Sequence, residues 1–198
     1  MKNKVFMGLA AIAMVAVLSS CGKKPQAEID AANAAIEAAK TAEAAVYVPA
    51  AFAAVQDSLN AVMSDITAQE SKLFKKFGPA KEKLASIVTL ANKVAADAGT
   101  KKEEVKAEAA NLLTGIKAVI EENGKLIPKL PRGKEGAAVI EQIKADVATV
   151  DSSVVEAQGL FDKGSFMDAL NKIKAAKEKA DGLNAEVKEA LTKAKIKF

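Results

Sequence analysis

Residues 169–191 read ALNKIKAAKEKADGLNAEVKEAL. Ala169, Ile173, Ala176, Ala180, Leu183, Val187 and Leu191 recur at steps of four and three, with Lys, Glu, Asp and Asn between them. At 3.6 residues per turn this spacing lays the apolar set along one helical face and the charges along the other. A half-buried strand would alternate every second residue, and no stretch of the chain does so convincingly. The same helical spacing recurs upstream. One stripe runs Phe52, Val55, Leu59, Val62, Ile66 and on to Leu73. Others run Leu84, Ile87, Ala91, Val94, then Val105, Ala109, Leu112, Ile116, Val119, then Val139, Ile143, Val147, Val150, Val154, Ala157, Phe161. Near-seven-residue spacing suits helices packed in coiled-coil manner.

Gly and Pro punctuate the stripes. Tyr47-Val48-Pro49 ends a first helix near Val46, and Phe77-Gly78-Pro79 separates the second from the third. Gly99-Thr100 opens a fourth helix, with Glu103 and Glu104 placed to favour its N-terminal dipole. Ile127 to Gly133 is the longest connector, and Asp162-Lys163-Gly164-Ser165 makes the last turn, where Ser165 can cap the following helix. The expected fold is therefore all-α: about six long antiparallel helices in an elongated bundle or helix-hairpin repeat. Leu73-Phe74 before Phe77-Gly78 parallels Leu160-Phe161 before Gly164, which leaves internal duplication and coincidental helical punctuation as equal readings.

Composition excludes several function classes. The 198 residues carry 29 Lys and Arg against 25 Asp and Glu, a net charge of +4, with no His, no Trp, one Tyr and one Cys. Without His there is no Ser-His or Cys-His pair and no His-ligated metal, and a lone Cys forms neither an internal disulfide nor a Cys-based zinc cluster. Arg132 is the only Arg. Nucleic-acid readers rely on Arg and stacking aromatics, so nucleic acid is not an expected partner. No candidate catalytic residue or metal-ligand set emerges. The adjacent pairs Glu103/Glu104 and Glu121/Glu122 diverge by about 100° on a helix, and Asp146 and Asp151 stand five apart. The chain is read as a non-enzyme without a bound cofactor.

The first residues set the expected address. Met1-Lys2-Asn3-Lys4 is basic, Val5 to Leu18 is uncharged, and the run closes on Leu18-Ser19-Ser20-Cys21. The apolar run is short for a membrane span and fits a secretory signal. Its end resembles the bacterial lipobox: a large aliphatic residue, two small ones, then Cys. The resemblance implies cleavage before Cys21, with Leu18, Ser19 and Ser20 as the cleavage motif. It also implies a covalent diacylglycerol and an N-acyl chain such as palmitate on Cys21. Two or more chains anchor a protein stably. Residues 1–20 are then a signal peptide, 21–26 the lipidated Cys and tether, and 27–198 an Ala-rich helical body, either one bundle or halves 27–98 and 101–198. Gly22 in place of Asp favours the outer membrane, facing the periplasm, under the proteobacterial sorting rule. Lys23 and Lys24 either touch anionic headgroups or belong to a solvated tether.

Two further resemblances concern the body. Gly164-Ser165-Phe166-Met167-Asp168-Ala169, with Ile173 and Ala176, resembles the turn within a tetratricopeptide repeat, though without the 34-residue period. It implies helix-hairpin packing. The stretch from Ile29 to Asp97, with its Tyr47-Val48-Pro49-Ala50 break, is similar to Ala-rich helical domains of bacterial envelope lipoproteins, which implies an envelope location and a non-enzymatic role. The remaining candidate site is the connector Pro128 to Gly136, where Pro128, Pro131 and Arg132 either dock a partner or form a plain crossover. Tyr47 and Phe52 are read as plugs at the end of an Ala-rich interface.

The expected function is thus a membrane-anchored envelope lipoprotein acting as a helical scaffold or adaptor for an envelope protein. The alternative is a periplasmic carrier of an apolar ligand, held in a cavity lined by residues such as Leu59, Leu84 and Leu112. Homo-oligomerisation through exposed heptad faces stays open.

Overall fold

The computed structural model describes residues 23–131 and 134–198. Among these residues the chain is all-α, with helices and no strand. The helices are α1 (Gln26–Thr41), α2 (Ala44–Tyr47), α3 (Pro49–Glu70), α4 (Gly78–Leu126), α5 (Lys134–Asp162) and α6 (Phe166–Lys193), with a 3-10 turn at Ile127–Lys129. The residues expected to form the signal sequence lie outside the described range.

The helix boundaries follow local chemistry with two corrections. The first helix stops at Thr41 rather than near Val46. Glu43 then takes a left-handed backbone (φ 60°), and the single turn α2 precedes Pro49. Pro49 opens α3, where its fixed φ suits the first helical turn and its missing N–H is not needed. The second correction is Gly99-Thr100, which interrupts nothing: α4 runs through it. A mid-helix Gly costs only about 1 kcal/mol. The buried sequence Val94, Ala98, Val105, Ala109 continues on one face across it. Thr100 Oγ1 also donates back to the Ala96 carbonyl at 3.2 Å. Glu103 and Glu104 are consequently mid-helix residues, not first-turn ones.

The chain divides into two compact units. The first takes in residues through Thr41 and Ala50–Val94. Its buried residues include Ile29, Ala32, Ile36 and Ala39 of α1, Phe52, Val55, Val62 and Ile66 of α3, Phe77 just before α4, and Leu84, Ile87 and Ala91 in the first turns of α4. Ion pairs give the helix directions. Glu28 meets Lys81 at 3.0 Å, Asp65 meets Lys83 at 2.7 Å, and Glu70 meets Lys24 at 3.3 Å. The start of α1, the end of α3 and the start of α4 therefore share one end of this unit. Leu73 does not extend the α3 stripe; the helix ends at Glu70, and Leu73 is 91% exposed.

The second unit comprises Ala42–Pro49 and Ala95–Phe198. Glu108 pairs with Lys174 at 2.6 Å and Glu122 with Lys188 at 2.8 Å, so α4 and α6 run parallel. Asp146 pairs with Lys179 at 3.0 Å, and Glu156 with Lys172, so α5 runs antiparallel to α6. Every residue of the α6 stripe is buried. On α5 the inward residue of the first turns is Ile140, with Val139 exposed, and on α4 Leu113 is buried where the stripe had placed Leu112. One apolar cluster gathers Leu126, Ile127, Leu130, Ile140, Ile143, Val187 and Leu191.

The α5–α6 turn is built from backbone. Gly164 has φ 83°, its N–H donates to Phe161 O at 2.9 Å, and the Ser165 N–H donates to Leu160 O at 3.0 Å. This is a Schellman closure, which satisfies the last carbonyls of α5 and needs a residue tolerant of positive φ. Ser165 stands at the N-cap of α6, but its hydroxyl makes no capping bond. Phe161 lies within α5 and packs edge-on against Phe166 at 5.1 Å, whereas Phe74 is 80% exposed in the α3–α4 loop. The two Leu-Phe pairs thus occupy different structural positions, against the duplicated-turn reading.

Candidate functional site

The densest grouping of aromatic and charged side chains lies in the second unit. The αL kink at Glu43 turns the chain so that α2 presents Tyr47 inward, 6% exposed. Lys102 of α4 forms an ion pair with Glu43 at 2.6 Å. Its Nζ also lies 5.9 Å from the Tyr47 ring centroid and 6.0 Å from that of Phe166. Lys106, one turn on, stands 5.4 Å from the Phe166 ring. An ammonium over an aromatic face is attracted by the ring quadrupole. Two lysines of α4 therefore hold α2 and the start of α6 together.

The electrostatics describe a clamp. Hydrogen bonding to Glu43 holds the Lys102 ammonium above its usual range, so it stays charged. Burial, helped by the Glu43 charge, raises the Tyr47 phenol. A permanently charged amine and a firmly protonated phenol bind and orient; neither is poised as a nucleophile or base near neutrality. The expected plug role of Tyr47 is compatible with this burial, and Phe52 is buried in the first unit.

A second polar arrangement spans α4 and α6. Asn123, the buried polar residue of the interior at 2% exposure, donates from Nδ2 to the Ala180 carbonyl at 3.3 Å. Its Oδ1 accepts from Asn184 Nδ2 at 2.8 Å, and that amide also donates to Glu122 at 3.1 Å. The Lys188 ammonium beside Glu122 holds its carboxyl below the usual range. Among the described residues every buried side-chain polar atom has a partner.

The sequence-derived candidates are dispersed. Cys21, Leu18, Ser19, Ser20 and Arg132 lie outside the described residues. Pro128 and Pro131 are exposed, while Ile127 and Leu130, each the residue just before one of these prolines, turn into the apolar cluster. A Cβ on Gly136 would run into the Pro131 carbonyl oxygen, so α5 starts hard against the connector backbone. Glu103 and Glu104 pair separately with Lys106 and Lys101, at 3.8 and 3.0 Å. Asp146 is held below the usual carboxylate range by Gln142 and then Lys179, and Asp151 is exposed. No group of three or more acids or Cys converges as a metal site among the described residues. Leu84 is fully buried, and Leu59 and Leu112 are half-buried.

Sequence reasoning missed Lys102, Glu43 and the Asn123–Asn184 pair. Asn123 was detectable, since it falls seven residues after Ile116 on the buried face of α4. Lys102 was not, because nothing local marks one Lys among many. Comparison with protein-family models, curated proteins and solved structures finds no match. Among the described residues no helix is long and apolar enough to cross a membrane.

Proposed function

We propose that this chain is a lipid-anchored bacterial envelope protein, attached through Cys21, that acts as a non-enzymatic helical scaffold or adaptor for another envelope component. The carrying observation is the joining of a Leu18-Ser19-Ser20-Cys21 terminus to a helical body whose charged side chains pair with one another between helices. The lipid confines the protein to a membrane surface, by our reading the periplasmic face of the outer membrane. The helical hairpins offer long faces to a partner, with the exposed Pro128 and Pro131 as a rigid feature among them.

The test is crosslinking in intact cells followed by mass spectrometry of the captured species. A recurrent protein partner is the expected result. Recovery of an apolar small molecule without protein would replace the scaffold reading with the carrier reading. Mass measurement of the purified protein checks the anchor independently: Cys21 should be N-terminal and acylated, and Cys21→Ala should remove the protein from the membrane fraction.

A further inference from the structure

Between α3 and α4 the chain leaves its helical pattern for a short loop, Ser71 to Phe77. Both ends are fixed. The Lys72 N–H donates to Gln69 O at 3.1 Å, Phe77 O accepts from the Lys81 N–H at 3.0 Å, and the Phe77 ring is 1% exposed. Between these ends Leu73 and Phe74 project into solvent, at 91% and 80% exposure. Lys72, Lys75 and Lys76 flank them, and no acid occurs from Ser71 to Lys81. The nearest carboxylate along the chain, Glu70, is engaged by Lys24, and Lys81 is engaged by Glu28. Lys72, Lys75 and Lys76 form no ion pair among the described residues.

Two large apolar tips ringed by uncompensated ammonium groups match one environment in particular: the boundary between acyl chains and headgroups of an anionic bilayer. Apolar tips enter the acyl region, lysine stems lie along it, and the ammonium groups meet phosphates. Placement agrees. The Lys24–Glu70 ion pair sets this loop beside residue 24, and three residues of chain from Cys21 reach at most about 10 Å.

We propose that Leu73 and Phe74, with Lys72, Lys75 and Lys76, form a membrane-docking loop that inserts into an anionic phospholipid surface and orients the first unit on it. Its placement next to the bilayer rests on the lipid-anchor reading; its surface chemistry does not.

The chain has no Trp, so Phe74→Trp installs a single indole reporter at an exposed position. The probes are vesicles of phosphatidylglycerol or phosphatidylcholine carrying brominated acyl chains. They are mixed with acylated protein and, separately, with unacylated chain from Gly22 to Phe198, which keeps every described residue. We expect a blue shift and bromine quenching with phosphatidylglycerol in both forms. For the unacylated chain, co-sedimentation with the same vesicles should show Leu73→Ser with Phe74→Ser lowering partitioning about tenfold or more. Lys72→Gln, Lys75→Gln and Lys76→Gln together should lower it by roughly a hundredfold. Circular dichroism verifies that these surface variants keep their helicity. An acylated protein that sits on vesicles with indole emission unchanged from solution overturns the loop and leaves the anchor standing. An unacylated Cys21 with the blue shift intact overturns the anchor and leaves the loop standing. A protein crosslinked at position 74 in cells, with no response to either vesicle, assigns the patch to a protein partner and overturns the proposal.

Discussion

Asn184 Nδ2 donates to Asn123 Oδ1 at 2.8 Å, joining α4 and α6 by a polar bond inside an otherwise apolar face. Because α4 and α6 run parallel, this pair resembles the buried Asn of a parallel coiled coil, which fixes register at some expense of stability. Asn123→Ala removes the buried amide and leaves Asn184 half-satisfied; it should destabilise the fold by about 1–3 kcal/mol. Replacing both residues by Leu should come closer to neutral in urea melting. It should also permit α4–α6 cysteine crosslinks out of the native register, which the native pair should not.

Tyr47 is the chain's single Tyr, so absorbance at 295 nm reports it alone. Its phenol should titrate above the ordinary value of 10 in the folded protein and return to that value in urea. The signs of two variants separate the causes. Glu43→Gln removes a charge that raises Tyr47 and should shift the midpoint down, whereas Lys102→Met removes a charge that lowers it and should shift it up.

The same cluster makes stability sensitive to alkali. The folded values of Tyr47 and Lys102 both lie above their unfolded ones. Their contributions are therefore complete below about pH 10 and are lost as pH rises through the raised folded values. Urea midpoints should be flat from neutrality to about pH 9 and fall beyond pH 10, and Glu43→Gln should flatten that fall.

On the acid side the sign reverses. Glu122, Asp146 and Glu189 are held below the ordinary carboxylate range, led respectively by Lys188, Gln142 and Lys193. Their contribution is complete above the unfolded carboxylate values near pH 4 and is lost as pH falls through the lower folded ones. Lys188→Gln should weaken this acid dependence, measured as the drop in urea midpoint between pH 5 and pH 2.

The glycines should divide by geometry. Gly164→Ala forces a side chain onto φ 83° and should destabilise by about 1–2 kcal/mol. Gly136→Ala collides with the Pro131 carbonyl and should cost about 1–3 kcal/mol. Gly182→Ala, in open space within α6, should instead stabilise by about 0.5–1 kcal/mol. Thermal melting of the three variants checks the order.

The all-α fold was legible because burial of the α6 stripe obeys a period that only a helix has, and the Gly164 turn because its reversal needs a positive φ. The inward residue was less legible where two apolar residues are adjacent. Val139 and Ile140, or Leu112 and Leu113, differ by 100° around the helix, and the neighbouring helix selects one. Gly99 misled because its small local penalty is offset by a buried face that continues on both sides.

By itself, the sequence determined the helical periodicity, the main turns and the resemblance at Cys21, all of which rest on residues close together in the chain. Tertiary structure alone decided that Lys102 meets Glu43, Tyr47 and Phe166, that Asn123 meets Asn184, and that Leu73 faces solvent, with Phe74 beside it, although Leu73 is in apolar period with Ile66. These depend on where α3 ends and on which faces of distant helices meet, and such long-range packing leaves no signature in local spacing.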